Sequence, residues 1–343
     1  MNLQDLGWDD GFAAALEPHE NCIPARVSAQ HRGEYDVLTS RGEQRARPAG
    51  RLRHEAGSGE DLPAVGDWVA LRDETIHAVL PRRSAFRRKV AWSQTEAQVL
   101  AANVDTVFVV TGLDEDFSLR RIERYLTLAW ESGATPALVL TKADLCDDPL
   151  ALLLEAEGVA MGVPAHVISN VTGEGVDELA PYLAPARTIA LLGSSGVGKS
   201  TLANRLLRAE VQATKELAED GTGRHTTTAR QLFRLPGGAM LVDTPGLREV
   251  QLWSADDGIQ EAFADVDELA ADCRFNDCAH MREPGCAVQE AIDEGRLPRE
   301  RLQSYRALQR ELRRLALKQD ARLRSEERKK WVKQVRSRRK VSW

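Results

Sequence analysis

Thr188-Ile189-Ala190-Leu191-Leu192 runs without a break into Gly193-Ser194-Ser195-Gly196-Val197-Gly198-Lys199-Ser200. The first five residues have the pattern of a buried strand, and the next eight satisfy G-x-x-x-x-G-K-[ST] in full. Glycines in such a loop let backbone N–H groups curl around phosphate oxygens. Lys199 supplies a point charge toward the β and γ phosphates, and the Ser200 hydroxyl is placed to ligate Mg2+. A helix expected from Thr201 to Leu207 adds its positive end to the site. Gly193, Ser194, Ser195, Gly196, Val197, Gly198, Lys199, Ser200 and Thr201 are therefore the candidates for holding a nucleotide, with Lys199 also stabilising charge in the reaction.

Downstream, Met240-Leu241-Val242 leads into Asp243-Thr244-Pro245-Gly246, where a carboxylate at a strand end can hold Mg2+ and a glycine N–H can sense the γ phosphate. Thr226-Thr227-Thr228 lies between the two motifs, and Thr226 or Thr227 is expected to complete the Mg2+ shell of a nucleotide switch. Upstream, Leu138-Val139-Leu140 ends in Thr141-Lys142-Ala143-Asp144, which resembles the N-K-x-D guanine-reading motif of GTPases. Asp144 can accept both guanine N–H groups, for which adenine has no equivalent pair. Lys142 can lay its stem along the base, and Ser169, in Val167-Ile168-Ser169-Asn170, resembles the loop whose backbone N–H meets the guanine carbonyl. Thr141 stands where the motif has Asn, and loss of that amide is expected to weaken the tie between base loop and phosphate loop. The base-reading motifs precede the phosphate loop, so the domain is read as circularly permuted, an arrangement tolerated where termini lie close together.

Working outward, strands alternate with helices from about Gln98. Asp105 to Thr111 is an apolar run, Ser118 a helix cap before a periodic stretch to Trp130, and Ala137 to Leu140 another strand, which implies a parallel sheet covered by helices. Before this region, Ala25 to Ala29, Glu34 to Thr39, Gly66 to Leu71 and Thr75 to Val79 alternate between turn signals, as in a small β-barrel. Pro81 closes it, and Arg82, Arg83, Arg87, Arg88 and Lys89 place five cations in eight residues. A small barrel with basic loops reads as an OB-like nucleic-acid platform. Beyond Leu247, Cys273, Cys278, His280 and Cys286 supply three thiolates and one imidazole, a closed tetrahedral set of the kind structural zinc prefers. Cys22 and Cys146 stand apart and read as small hydrophobes.

The formal charge of −6, from 46 basic and 52 acidic residues, hides an asymmetry. Arg299 to Trp343 carries 17 Lys+Arg against 5 Asp+Glu. Such a tail, including Arg328, Lys329 and Lys330, is a footprint for a polyanion and predicts steep salt dependence. No apolar run approaches the roughly 20 residues that cross a bilayer, and no secretory leader is visible, so a cytoplasmic protein that does not enter a membrane is expected. No sustained heptad seam is present, which favours a monomer.

With these residues in view, the chain resembles the small-ribosomal-subunit biogenesis GTPases of the RsgA/YjeQ family. The resemblance rests on Thr141 to Asp144, Gly193 to Thr201, Gly223-Arg224-His225-Thr226-Thr227-Thr228, Asp243 to Gly246, and the Cys/His cluster. It implies three parts: an N-terminal OB-like barrel over residues 1–97, a circularly permuted α/β P-loop GTPase domain over 98–252, and a C-terminal α-helical zinc-binding domain over 253–343. It implies weak GTP hydrolysis to GDP that the small subunit stimulates, and turns "polyanion" into rRNA of that subunit. After Gly246 the chain has Leu247, which offers no hydrogen bond to the attacking water, and His225 resembles the family histidine offered for that role. Two other readings are an RNA-binding scaffold in which GTP is a slow conformational signal, and a hydrolase or kinase acting on a small metabolite. Stimulation by small subunits separates the first from the enzyme; the basic flanks and the lack of a second small-molecule motif argue against the other.

Overall fold

The computed structural model describes residues 2–89, 97–208, 230–243, 256–281 and 283–319. Helix α1 (Asp10–Leu16) begins at Asp9, whose side chain accepts the N–H groups of Gly11 and Phe12. Strands β1 (Ile23–Gln30), β2 (Tyr35–Thr39), β3 (Gly42–Pro48), β4 (Trp68–Arg72) and β5 (Thr75–Val79) follow, with α2 (Gly50–Glu55) after β3. β1 pairs with β2 and β4, and β5 joins β3 to β4, so the five strands close on themselves. Ala25, Val27, Tyr35, Val37, Ala46, Val69, Leu71 and Ile76 fill the barrel. β3 is the strand the sequence pattern does not announce, because Glu43, Arg45 and Arg47 face solvent and few of its residues face inward.

An antiparallel pair, β6 (Ala85–Lys89) and β7 (Ala97–Ala102), leads into β8 (Thr106–Gly112). Then come α3 (Leu119–Glu131), β9 (Thr135–Thr141), α4 (Pro149–Val159), β10 (Ala165–Val167), β11 (Thr188–Leu192), α5 (Lys199–Arg208), β12 (Arg230–Arg234) and β13 (Met240–Asp243). β10, β9, β8, β11 and β13 lie side by side and parallel. The period of two along β8 sends Val107 and Val109 to the α3 side and Phe108 and Val110 to the α5 side, with no polar face. Ser118 stands at the start of α3 as expected, but its carbonyl rather than its hydroxyl closes the first turn, accepting from Arg121 and Ile122.

β12 runs antiparallel to β13 on one side and to β1 on the other, with Ala29 opposite Gln231 and Gln30 opposite Arg230. Barrel and α/β sheet thus form one ribbon of 11 strands. Arg26 of β1 locks this junction from within. Its guanidinium is buried and donates to Thr188 Oγ1 at 2.8 Å and to the carbonyls of Asn103 at 3.2 Å and Gly66 at 3.3 Å. Burial pushes its pKa down to about 10, with Asp105 and Asp67 opposing, so it stays charged at neutral pH.

Helices α6 (Asp256–Ala262), α7 (Ala264–Ala271), α8 (Ala287–Asp293) and α9 (Arg299–Gln319) complete the described chain. α9 docks on α3 through Arg124, which donates to both Glu311 oxygens at 2.6 and 2.9 Å, and through Arg301. Arg301 donates to Glu123 Oε1 at 2.9 Å and to Asp265 at 2.9 and 3.0 Å, and lies over the Phe263 ring at 4.3 Å. Among the described residues no helix is long and apolar enough to cross a membrane.

Candidate functional site

β11 delivers the chain to the phosphate loop at Gly193, whose φ of +154° and close approach to β8 exclude a side chain: a Cβ there would lie 2.2 Å from the Val110 carbonyl oxygen. Lys199 is buried at the start of α5, with Nζ donating to the Gly193 carbonyl at 2.7 Å and to that of Ser194. Ser194 Oγ also accepts from Arg121 Nη1 at 2.9 Å, and Arg121 pairs with Asp116. Val197 is buried within the loop, while Ser200 and Thr201 are exposed on the first turn of α5. Ala190 faces Val242 across the parallel β11–β13 ladder, so the backbone of Asp243 ends its strand beside the phosphate loop. His225, Thr226, Thr227 and Gly246 lie outside the described residues.

The base loop and phosphate loop are tied together, contrary to the expectation from the missing motif Asn. The fully buried Thr141 hydroxyl sits 2.6 Å from the Val197 carbonyl, to which it donates, with the Thr111 carbonyl as a second acceptor at 3.3 Å. A second tie comes from Asn170, whose Nδ2 donates to the Gly198 carbonyl at 3.2 Å. Asn170 in turn accepts at its backbone carbonyl from Arg205 Nη1 of α5 at 3.0 Å. Asn170 and Arg205 were not expected from the sequence; the available signal is the amide directly after Ser169, which supplies the group Thr141 lacks. Thr141→Val keeps the shape and removes the donor, leaving a buried carbonyl short of its partner. GTP binding is expected to weaken about tenfold, read by titration with a fluorescent GTP analogue.

Ser169 differs from expectation in how it acts. Its N–H donates to the Glu174 carbonyl at 2.9 Å and so is not offered to a base; its buried hydroxyl donates instead to Asp144 Oδ1 at 2.5 Å. Asp144 is exposed, and this bond orients its carboxylate outward. Lys142 sits in the left-handed region at φ +63°, with Nζ 2.5 Å from Asp114 Oδ2. That bond holds the Asp114 carboxyl below its ordinary range and stretches the lysine stem over Gly112. Asp114 carries no recognisable sequence signal.

The basic run divides. Arg82, expected to meet nucleic acid, is committed inside the barrel domain: it donates to buried Asp67 at 2.7 and 2.8 Å and to the carbonyls of Glu60 and Leu62. These bonds engage four of the five guanidinium N–H donors, which ties most of Arg82 to the barrel's own carboxylate and carbonyls. Arg83 pairs with Asp9 at 2.5 Å and lies on the Phe12 ring at 4.2 Å, yet is exposed. Arg87 is 3.3 Å from Glu60, and Arg88 and Lys89 continue along β6. Arg328, Lys329 and Lys330 lie outside the described residues.

In the loop between α7 and α8, one ligand atom each from Cys273, Cys278, His280 and Cys286 lies within 4.8 Å of the others. The Cys273 and Cys286 sulfurs are 3.9 Å apart, and each is 3.6 Å from His280 Nδ1. Sulfurs about 2.3 Å from a tetrahedral ion stand about 3.8 Å apart, so the four residues fit a closed metal site. Burial, and then Arg306, lower the His280 pKa, which favours the neutral imidazole a metal requires. The His280 carbonyl is fixed by Gln289 and Arg306.

A phosphate loop tied to a carboxylate-bearing base loop, on a parallel sheet whose base-reading strand precedes the phosphate strand, defines a circularly permuted P-loop GTPase. The model of the RsgA GTPase family matches residues 79–253. Three relatives align over most of the chain, each named a small ribosomal subunit biogenesis GTPase RsgA. That from Opitutus terrae is 50% identical, covering 97% of this chain and 96% of its own. That from Streptomyces coelicolor is 48% identical, covering 96% and 92%, and that from Methanosarcina acetivorans 41%, covering 89% and 84%. The crystal structure of YjeQ from Thermotoga maritima superposes with a TM-score of 0.63 at 27% identity, over 84% of this chain and 98% of that one. YloQ, described as a circularly permuted GTPase, shares the fold at a TM-score of 0.61 and 22% identity, over 86% and 96%. The chain belongs to the RsgA GTPase family and is a GTP-hydrolysing enzyme.

Proposed function

We propose that the chain hydrolyses GTP during late maturation of the small ribosomal subunit, bound in the cytoplasm as a monomer to the rRNA of that subunit. What carries this reading is the near-complete alignment with relatives named for that role, joined to a site whose base and phosphate loops meet through Thr141 and Val197. Asp144 and Lys142 hold guanine, with Ser169 fixing the Asp144 carboxylate. Gly193 to Thr201 wrap the phosphates, Gly246 meets the γ phosphate, and Lys199 leaves the loop carbonyls to stabilise charge on the transferring group. Ser200, Asp243 and one of Thr226 or Thr227 hold Mg2+, which when bound neutralises phosphate charge. Zinc is the ion that suits three thiolates and an imidazole with no open position. Arg83, Arg87, Arg88, Lys89, Arg328, Lys329 and Lys330 contact rRNA phosphates.

The decisive experiment measures GTP and ATP turnover with purified small or large subunits at two salt concentrations. Salt-sensitive stimulation of GTP turnover by small subunits alone is expected; no response to either subunit overturns the assignment. His225 positions the attacking water, since Leu247 offers no hydrogen bond. His225→Ala is expected to lower stimulated turnover about a hundredfold with GTP affinity nearly unchanged. Equal turnover in variant and parent removes His225 from the reaction.

A further inference from the structure

From Ala143 to Ala186 the chain contains no Lys or Arg, but carries eight carboxylates. At the centre of this stretch lies α4, begun by Asp148, whose Oδ1 accepts the Ala151 N–H at 3.1 Å, and by Pro149. Its inner side is sealed against the sheet by Ala156, and by Ala160 and Val163 just beyond it. Its outer side should be polar in a helix that ends at water. Instead Leu150 and Leu154, one turn apart, are 68% and 69% exposed, and Leu145 before the helix and Met161 after it are 69% and 61% exposed. Asp147, Asp148, Glu155 and Glu157 flank them and are also exposed.

We propose that this face of α4 docks a lysine- and arginine-rich amphipathic helix of a protein partner. α4, with 11 residues, is about 16 Å long, roughly three helical turns, the length over which a partner helix lays its apolar stripe. Carboxylates on both flanks, in a stretch that has no Lys or Arg of its own, match a basic helix and repel nucleic acid. They equally repel a second copy of the same face. The inference rests on the small-subunit reading, which makes the partner a basic protein of that subunit.

The test places a photocrosslinking amino acid at Leu154 in the full-length protein bound to purified small subunits. In parallel, Leu150→Gln/Leu154→Gln removes the two exposed leucines while retaining good helix formers. A crosslink to a lysine- and arginine-rich peptide of a subunit protein is expected. The double variant should bind subunits at least about tenfold more weakly, with unstimulated GTP turnover unchanged. The inference is overturned by crosslinks only to rRNA, to the chain itself or to a second copy, by no crosslink despite cosedimentation, or by a double variant that binds as the parent does. If the parent protein does not cosediment at all, the small-subunit reading fails, and this inference with it.

Discussion

Arg301→Ala is expected to destabilise the docking of α9 by about 3–5 kcal/mol, measured by denaturant or thermal unfolding. The Arg301 and Glu123 side chains are each 2% exposed and Asp265 is 15%, so removing the guanidinium strands one carboxylate with no water and a second with little. Burial pulls the Arg301 pKa down, but Asp265 and Glu123 outweigh it and hold the group firmly charged. Burial raises the Glu123 carboxyl above its ordinary range even with Ser304 and Arg301 donating to it. In the variant that rise is larger. A carboxyl whose folded pKa exceeds its unfolded one loses stability as pH rises between the two values, so the defect is expected to be greater at pH 8 than at pH 5. Adding Glu123→Leu should recover part of the loss, because a buried pair can be replaced by apolar groups more cheaply than it can be halved. A single variant as stable as the parent at both pH values would show that the network does not hold α9 to α3.

The second large effect is expected from removal of the metal ion that Cys273, Cys278, His280 and Cys286 are placed to hold. This loop has little apolar core of its own; Cys286 is buried, whereas Phe275 is 42% and Met281 65% exposed. In small zinc-dependent folds the metal contributes on the order of 10 kcal/mol, and that binding energy is folding energy. A chelator, or Cys278→Ser, is expected to abolish amide-exchange protection across residues 273–286 and lower the thermal transition. Strands β8, β9 and β11, remote from the loop, should keep their protection. The pH dependence follows from the thiols. Without a metal, burial pushes Cys286 up to about 11, so loading an ion expels protons and apparent affinity falls as pH falls. Unchanged exchange after verified metal loss would mean that the loop is held by its hydrogen bonds alone.

The phosphate loop was legible because its chemistry demands fixed glycines at fixed spacing, and β8, β9 and β11 because strands buried on both faces cannot hide their apolar runs. β3 carries no such signal, since its outward residues are charged. Thr141 reads as a loss because a sequence shows which amide is missing and not which neighbour replaces it: Asn170 lies far along the chain from the loop it secures. The same limit applied to Arg82. Its place in a run of cations suggests a nucleic-acid contact, while the carboxylate that claims it, Asp67, becomes its neighbour only when β4 folds into the barrel.

The shared ribbon of barrel and α/β sheet bears on how the protein can be cut. β1 and β12 cover each other's hydrogen-bonding edges, with Arg230 reaching Gln30 at 3.1 Å and Gln98 at 3.3 Å. A fragment ending before β8 would retain Arg26 but lose the Thr188 hydroxyl that accepts from it, and with it the parallel sheet that covers the buried guanidinium. A fragment beginning there would leave one side of β12 bare, an invitation to edge-to-edge aggregation. The two halves are thus poor candidates for autonomous expression, and dissection experiments are better done with point substitutions in the intact chain.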